Sequence, residues 1–146
     1  MSFSQPMPRP TLEISDAGTL EKIITDHDVF KFADASGDYN PLHIDDAYAR
    51  SSRYGRCVVH PILTAGIISA VLSSEIPGLG TIFQQLEIKF LRPVYINDRI
   101  TATAMVEEII DPEQVRMLVA CVNQNGEDVA IGNAIVIPPK ETRVIS

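Results

Sequence analysis

The chain has 146 residues, a length that fits one domain, and its 45% apolar and 21% charged residues exclude a wholly disordered chain. Nineteen acidic against twelve basic residues leave a net charge of −7, which lacks the basic footprint of a nucleic-acid binder. Cys57 and Cys121 stand far apart with no Cys or His at metal-finger spacing, so both read as small buried hydrophobes and no metal site is expected. The first residues, MSFSQPMPRPT, lack the apolar core of a secretory signal, and the cytoplasm is the expected compartment.

Residues 1–11 carry three prolines and little periodicity, and read as an N-terminal tail before one folded domain over 12–138. Residues 19–24 read as a first strand. Thr25 then offers a helix N-cap with Asp28 in the reciprocal capping position. Val29, Phe32, Ala33 and Ser36 follow at helical spacing, and Gly37 suits the left-handed residue that ends the helix. Residues 38–44 are expected to be irregular, because Pro41 pushes Asn40 out of helical space. Asp45 or Asp46 can cap a short helix through Ala49, and His27 is expected on the surface.

Residues 57–74 contain no Asp, Glu, Lys or Arg. Eighteen residues are marginal for spanning a bilayer, and His60 and Pro61 interrupt the start, so a core helix is expected rather than a membrane span. Residues 57–60 read as extended, with Pro61 as first residue of the helix. Pro77, Gly78 and Gly80 follow in a loop, and the remainder reads as strands. Leu86, Ile88 and Phe90 alternate with Glu87 and Lys89, and Ile100, Ala102, Ala104 and Val106 alternate with Thr101 and Thr103. Residues 115–122 are apolar on both faces, and Val129, Ile131, Ile135 and Ile137 share one face. Asn125-Gly126 is a hairpin signal between the last two strands, and residues 139–146 read as a C-terminal tail. The order implies an α+β fold with a segregated antiparallel sheet, and a sheet curled around one very apolar helix would explain both the helix composition and the strand count.

The stretch with chemical content runs from Phe32 to Asp45. Asp38 and His43 would lie about 140° apart on a helix of ~3.6 residues per turn. The Asn40-Pro41 turn breaks that geometry and can bring both side chains to one point. A carboxylate beside an imidazole favours the charged ring and selects the nitrogen facing a substrate, which makes the pair a candidate general base. Spacing alone leaves a second role open, because Gly-Asp and Asn-Pro are ordinary turn pairs and Asp38 could cap a turn.

The stretch resembles the hydratase-2 motif of the MaoC-like family of R-specific enoyl-CoA hydratases. Phe32, Ser36, Gly37, Asp38, Asn40, Pro41, Leu42, His43 and Ala49 occupy its positions. The similarity continues through Val58-Val59-His60, the apolar helix, Pro77 to Ile82, Lys89 to Val94 and Asn97-Asp98. The resemblance implies a hotdog fold, a homodimer with its substrate tunnel near the subunit interface, and an acyl thioester of coenzyme A or acyl carrier protein as partner, with no metal or redox cofactor. It implies that Asp38 and His43 hold a water that adds to C3 of a trans-2-enoyl thioester, while a proton goes to C2 on the same face, giving an (R)-3-hydroxyacyl product. It further implies that Asn40 shapes the loop and that Ser69 contacts the catalytic carboxylate. The bland reading of Ser69 is a hydroxyl bonded back to the carbonyl four residues earlier. For His60 the expected state is a buried imidazole bonded to backbone.

One position departs from the family. Where relatives carry His-Gly, this chain has His60-Pro61, and proline has no N–H to offer the thioester carbonyl. The next amides, on Ile62 and Leu63, sit at the positive end of the helix dipole, and Ile62 is the expected replacement donor. Two rival readings stand beside hydration: a hotdog thioesterase using Asp38 on the thioester carbonyl, and a non-catalytic acyl-binding subunit.

Overall fold

Alternation of apolar and polar residues builds one antiparallel sheet, and one helix packs against it. The computed structural model describes residues 11–145. In chain order the elements are β1 (Thr11–Glu13), β2 (Ala17–Ile23), α1 (Asp26–Ser36), α2 (Pro41–Ile44), α3 (Asp46–Arg50), α4 (Pro61–Ser74), β3 (Ile82–Phe90), β4 (Arg99–Asp111), β5 (Gln114–Val122), β6 (Asp128–Ile137) and β7 (Arg143–Ile145). The main sheet has the order β2-β4-β5-β6-β3, with every pairing antiparallel. Its inner face presents Ala102, Ala104 and Val106 from β4, Val115, Met117 and Val119 from β5, and Ala134 and Val136 from β6, all buried. Helix α4 packs on this face against β2, β3, β4 and β5. Small residues on β4 leave room for it, while Ile67, Ile68, Val71 and Leu72 supply the helix side of the core.

Thr25 accepts from the Asp28 amide at 3.2 Å while Asp28 accepts from the Thr25 amide at 2.9 Å, so the capping box forms in both directions. Gly37 ends α1 at φ 81°, and its amide donates to Ala33 at 2.8 Å. Asn125 and Gly126 lie in the β5–β6 turn, where the Gly126 amide donates to Asn123 at 3.0 Å.

Four expectations need correction. Residues 41–44 form the short helix α2, because Asn40, outside helical space as expected, accepts from the Leu42 amide and acts as N-cap with Pro41 in the first turn. The stretch 139–146 carries β7, which pairs in parallel with β1 and covers Leu12, and β1 itself had no recognisable pattern. In β6 the isoleucines 131, 135 and 137 point outward, and the core takes Ala130, Ala134 and Val136. Gly132 between them has no room for a side chain, since a Cβ there would collide with the Glu87 carbonyl oxygen of β3. Finally, α4 is not buried all round. Thr64, Ala65, Ile67, Ile68, Val71 and Leu72 face the sheet, while Ile62, Gly66 and Ser73 on the opposite face are exposed. At 14 residues α4 is too short to span a bilayer, and no helix among the described residues is long and apolar enough to do so. The tail read over residues 1–10 lies outside the described residues.

Candidate active site

Between α1 and α2 the chain is folded by side chains bonding to nearby backbone. Ser36 Oγ donates to the Phe32 carbonyl at 2.7 Å and accepts from the Asp38 amide at 3.1 Å. Asp38 Oδ1 then accepts from the Asn40 amide at 3.2 Å, and Asn40 Oδ1 from the Leu42 amide at 3.1 Å. The two roles open for Asp38 are therefore compatible, since one carboxylate oxygen caps the turn. Asp38 stays exposed, and its carboxylate stands in a cluster with His43 and His60 whose ligand-capable atoms all lie within 4.8 Å of one another. The turn brings together the two residues that the sequence separates by five.

His43 is buried, and its Nδ1 lies 2.7 Å from the Val58 carbonyl oxygen. A carbonyl only accepts, so Nδ1 carries a proton, and Nε2 is the nitrogen left to work in the site. This corrects the expectation that the Asp38 carboxylate orients the ring. A backbone carbonyl does so, brought to His43 by the extended stretch 57–60, in which the Val59 amide donates to Val94 at 2.7 Å.

His60 is 1% exposed and takes the expected backbone bond, its Nε2 donating to the Asp38 carbonyl at 3.0 Å. Burial holds its pKa below the usual histidine value, the bond to Asp38 opposes that shift, and His43 nearby adds to it. A neutral His60 therefore ties the Asp38 backbone to the start of α4. Its ring lies over that of His43, with centroids 4.0 Å apart and planes at 31°, and it meets Phe32 at 4.7 Å. The two imidazoles are tilted against each other, and with Phe32 they form a packed aromatic cluster beside Asp38.

Beside His43 opens a cleft of about 290 Å³, lined by apolar side chains including Leu42, Val59, Phe90 and Val129, and by Pro61 and Thr64 of α4. Thr64 escaped the sequence reading, though a hydroxyl one turn into an otherwise apolar helix was a visible signal. The Leu63 amide donates to the His60 carbonyl at 3.0 Å, whereas no backbone acceptor is found for the Ile62 amide among the described residues. The Ile62 side chain itself is exposed and does not line the cleft. Ser69 is half-buried, and its hydroxyl makes neither of the two bonds read for it, to the Asp38 carboxylate or to the carbonyl four residues earlier. His27 is exposed. Both cysteines are buried free thiols: Cys57 donates to Asp46 Oδ1 at 3.3 Å, and burial pushes Cys121 up to about 12.

A long helix packed on an antiparallel sheet, with an Asp–His pair on an overhang beside the helix N-terminus, defines a hotdog protein of the hydratase type. The sequence profile of the MaoC-like domain matches residues 10–127, and the chain belongs to that family. The 3-hydroxybutyryl-CoA dehydratase of Methylorubrum extorquens is 37% identical over 131 residues, covering 89% of this chain and 83% of that protein. The (R)-specific enoyl-CoA hydratase of Aeromonas caviae is 31% identical over 134 residues, covering 91% of this chain and 100% of that protein. Among solved structures, the unliganded R-hydratase PhaJ1 of Pseudomonas aeruginosa superposes with a TM-score of 0.84 at 34% identity, covering 88% of this chain and 83% of that one.

Proposed function

We propose that this protein hydrates trans-2-enoyl-CoA to (R)-3-hydroxyacyl-CoA, reversibly, with Asp38 and His43 holding the water. The observation that carries this is the fixed tautomer of His43. With Nδ1 donating to Val58, Nε2 is the nitrogen left to accept from a water, in a ring with a ligand-capable nitrogen within 4.8 Å of the Asp38 carboxylate. A water held between them gives its proton to the Asp38–His43 pair as its oxygen bonds to C3, and the pair returns a proton to C2 from the same face, which restores its starting state. Asn40 shapes the turn by capping α2. The apolar cleft accepts the acyl portion, and the N-terminus of α4, with the Ile62 amide, supplies positive potential for the enolate oxygen. The names of the relatives support the same reaction class.

The test is loss of enoyl absorbance with crotonyl-CoA and longer enoyl-CoAs, with chirality of the product determined. Absorbance loss without thiol release supports hydration. Release of free CoA thiol from saturated thioesters puts the thioesterase in its place, and binding without turnover supports the acyl-binding subunit. Acyl carrier protein thioesters assayed in parallel decide the carrier.

A twofold dimer belongs to the same reading. Strand β3 is an edge of the sheet, and the outward face of α4, with Ile62, Gly66 and Ser73, is left exposed by the described residues. Light scattering that gave a stable 16.0 kDa monomer at micromolar protein would overturn the dimer. The two free thiols support a reducing compartment, consistent with the cytoplasm.

A further inference from the structure

We propose that the Thr64 hydroxyl is a hydrogen-bond donor to the thioester carbonyl oxygen, the side-chain replacement for the amide that Pro61 removes. The inference rests on the reading of the cleft as a thioester site. Thr64 is 1% exposed, lines the cleft together with His43 and Pro61, and its Oγ1 is buried with no hydrogen-bond partner. A threonine inside a helix ordinarily bonds back to the carbonyl four residues earlier. Here that carbonyl belongs to His60 and is already taken by the amides of Leu63 at 3.0 Å and Thr64 at 3.4 Å. The helical tilt of Cα–Cβ leans the side chain toward the N-terminus of α4, the end at which the cleft lies. A buried hydroxyl left unbonded is destabilising, so an aliphatic residue would serve the core better. The hydroxyl sits where a donor is needed: on the helix turn that begins with a proline, in the wall of the cleft that also holds the base.

In hydration the negative charge that develops on the thioester oxygen, as water oxygen bonds to C3, is met by the Thr64 O–H. No proton is transferred from Thr64. The charge recedes when C2 is protonated, and the hydroxyl returns to its starting state.

The experiment compares Thr64→Val, Thr64→Ser and Thr64→Val combined with Pro61→Gly, using crotonyl-CoA turnover and thermal melting. Thr64→Val is expected to lower kcat about 10²-fold, the scale of one lost oxyanion donor, with KM changed less than about threefold. Its Tm is expected to stay level or rise, because an unbonded buried hydroxyl has been removed without changing volume. Thr64→Ser keeps the donor and is expected to stay within about fivefold of the unaltered protein. Pro61→Gly restores a backbone amide, and in the Thr64→Val background it is expected to recover at least about tenfold. A Thr64→Val variant with unchanged kcat overturns the proposal, as does a Thr64→Ser variant as impaired as the valine.

A second readout separates this proposal from the hydratase reading. Butyryl-CoA labelled with ¹³C at the thioester carbonyl cannot be hydrated. Its carbonyl resonance is expected to move downfield on binding to the unaltered protein, and the shift to disappear with Thr64→Val. A carbonyl shift of this kind in a protein inert toward enoyl-CoAs would uphold Thr64 while removing the hydration reading. Bound thioester with the same resonance in both proteins would remove Thr64 whatever the reaction.

Discussion

The overhang from α1 to α3 and the five-stranded sheet are held by different forces. At the tip of the overhang, Ser36, Asp38 and Asn40 each spend a side-chain oxygen on a nearby amide, and all three residues are exposed. In the sheet, backbone ladders run the length of β4, β5 and β6, and the inward side chains are closed off from solvent. The first arrangement gives a local geometry that tolerates water and places charge at a point. The second gives stability and carries no chemistry. Sequence changes in the two regions should therefore separate activity from stability.

The largest effect is expected at the overhang. Asp38→Asn and His43→Gln should each lower turnover by about 10²-fold or more, the scale of lost acid–base catalysis, with circular dichroism and melting little altered. Either variant at full turnover would break the comparison. The sheet should respond in the opposite way. Met117, fully buried at the centre of β5, should on truncation to Ala lower the unfolding free energy by about 2–5 kcal/mol in urea titration, while the folded fraction keeps its turnover.

The junction between the two regions sharpens the contrast. Pro61→Gly alone should change turnover by less than about tenfold, because the intact site lacks no donor, while a gain of about 10² or more would show that Pro61 disables the hole. The smallest effect is expected from pH. With the His60 pKa held below its unfolded value, near 6.5, the unfolded chain takes up that proton first. Stability from this group is therefore complete above about pH 6.5 and falls as pH drops toward the folded-state pKa. His60→Gln should flatten that part of the pH–stability curve, measured by urea unfolding between pH 5 and 8.

The same contrast explains what could be read from the residues. The capping box, the Gly37 stop and the β5–β6 turn depend on side-chain chemistry local to a few positions, and each formed as its residues required. The face of β6 did not follow from its pattern, because Ile131 and Ile135 are larger than Ala130 and Ala134 yet point outward. The register of β6 is shared with its neighbours β3 and β5, and Gly132 lies close against the Glu87 backbone, so the face it buries depends on partners distant in sequence. The Asp38–His43 pairing was legible in the turn between them. The group that orients His43 was not, since a backbone carbonyl at Val58 has no signature of its own. The exposure of one side of α4 was hidden for a related reason, because an all-apolar helix reads alike whether its cover comes from its own chain or from another.

The parallel pairing of Thr11–Glu13 with Arg143–Ile145 makes the two ends of the described chain each other's clasp. Leu12, 3% exposed, is the pin of that clasp. Trimming one end should loosen the other, so amide exchange at Leu12 would speed up after removal of residues 143–145, while the β4–β5 ladder kept its protection. Proteolytic loss of either strand of that pair would thus be felt at both.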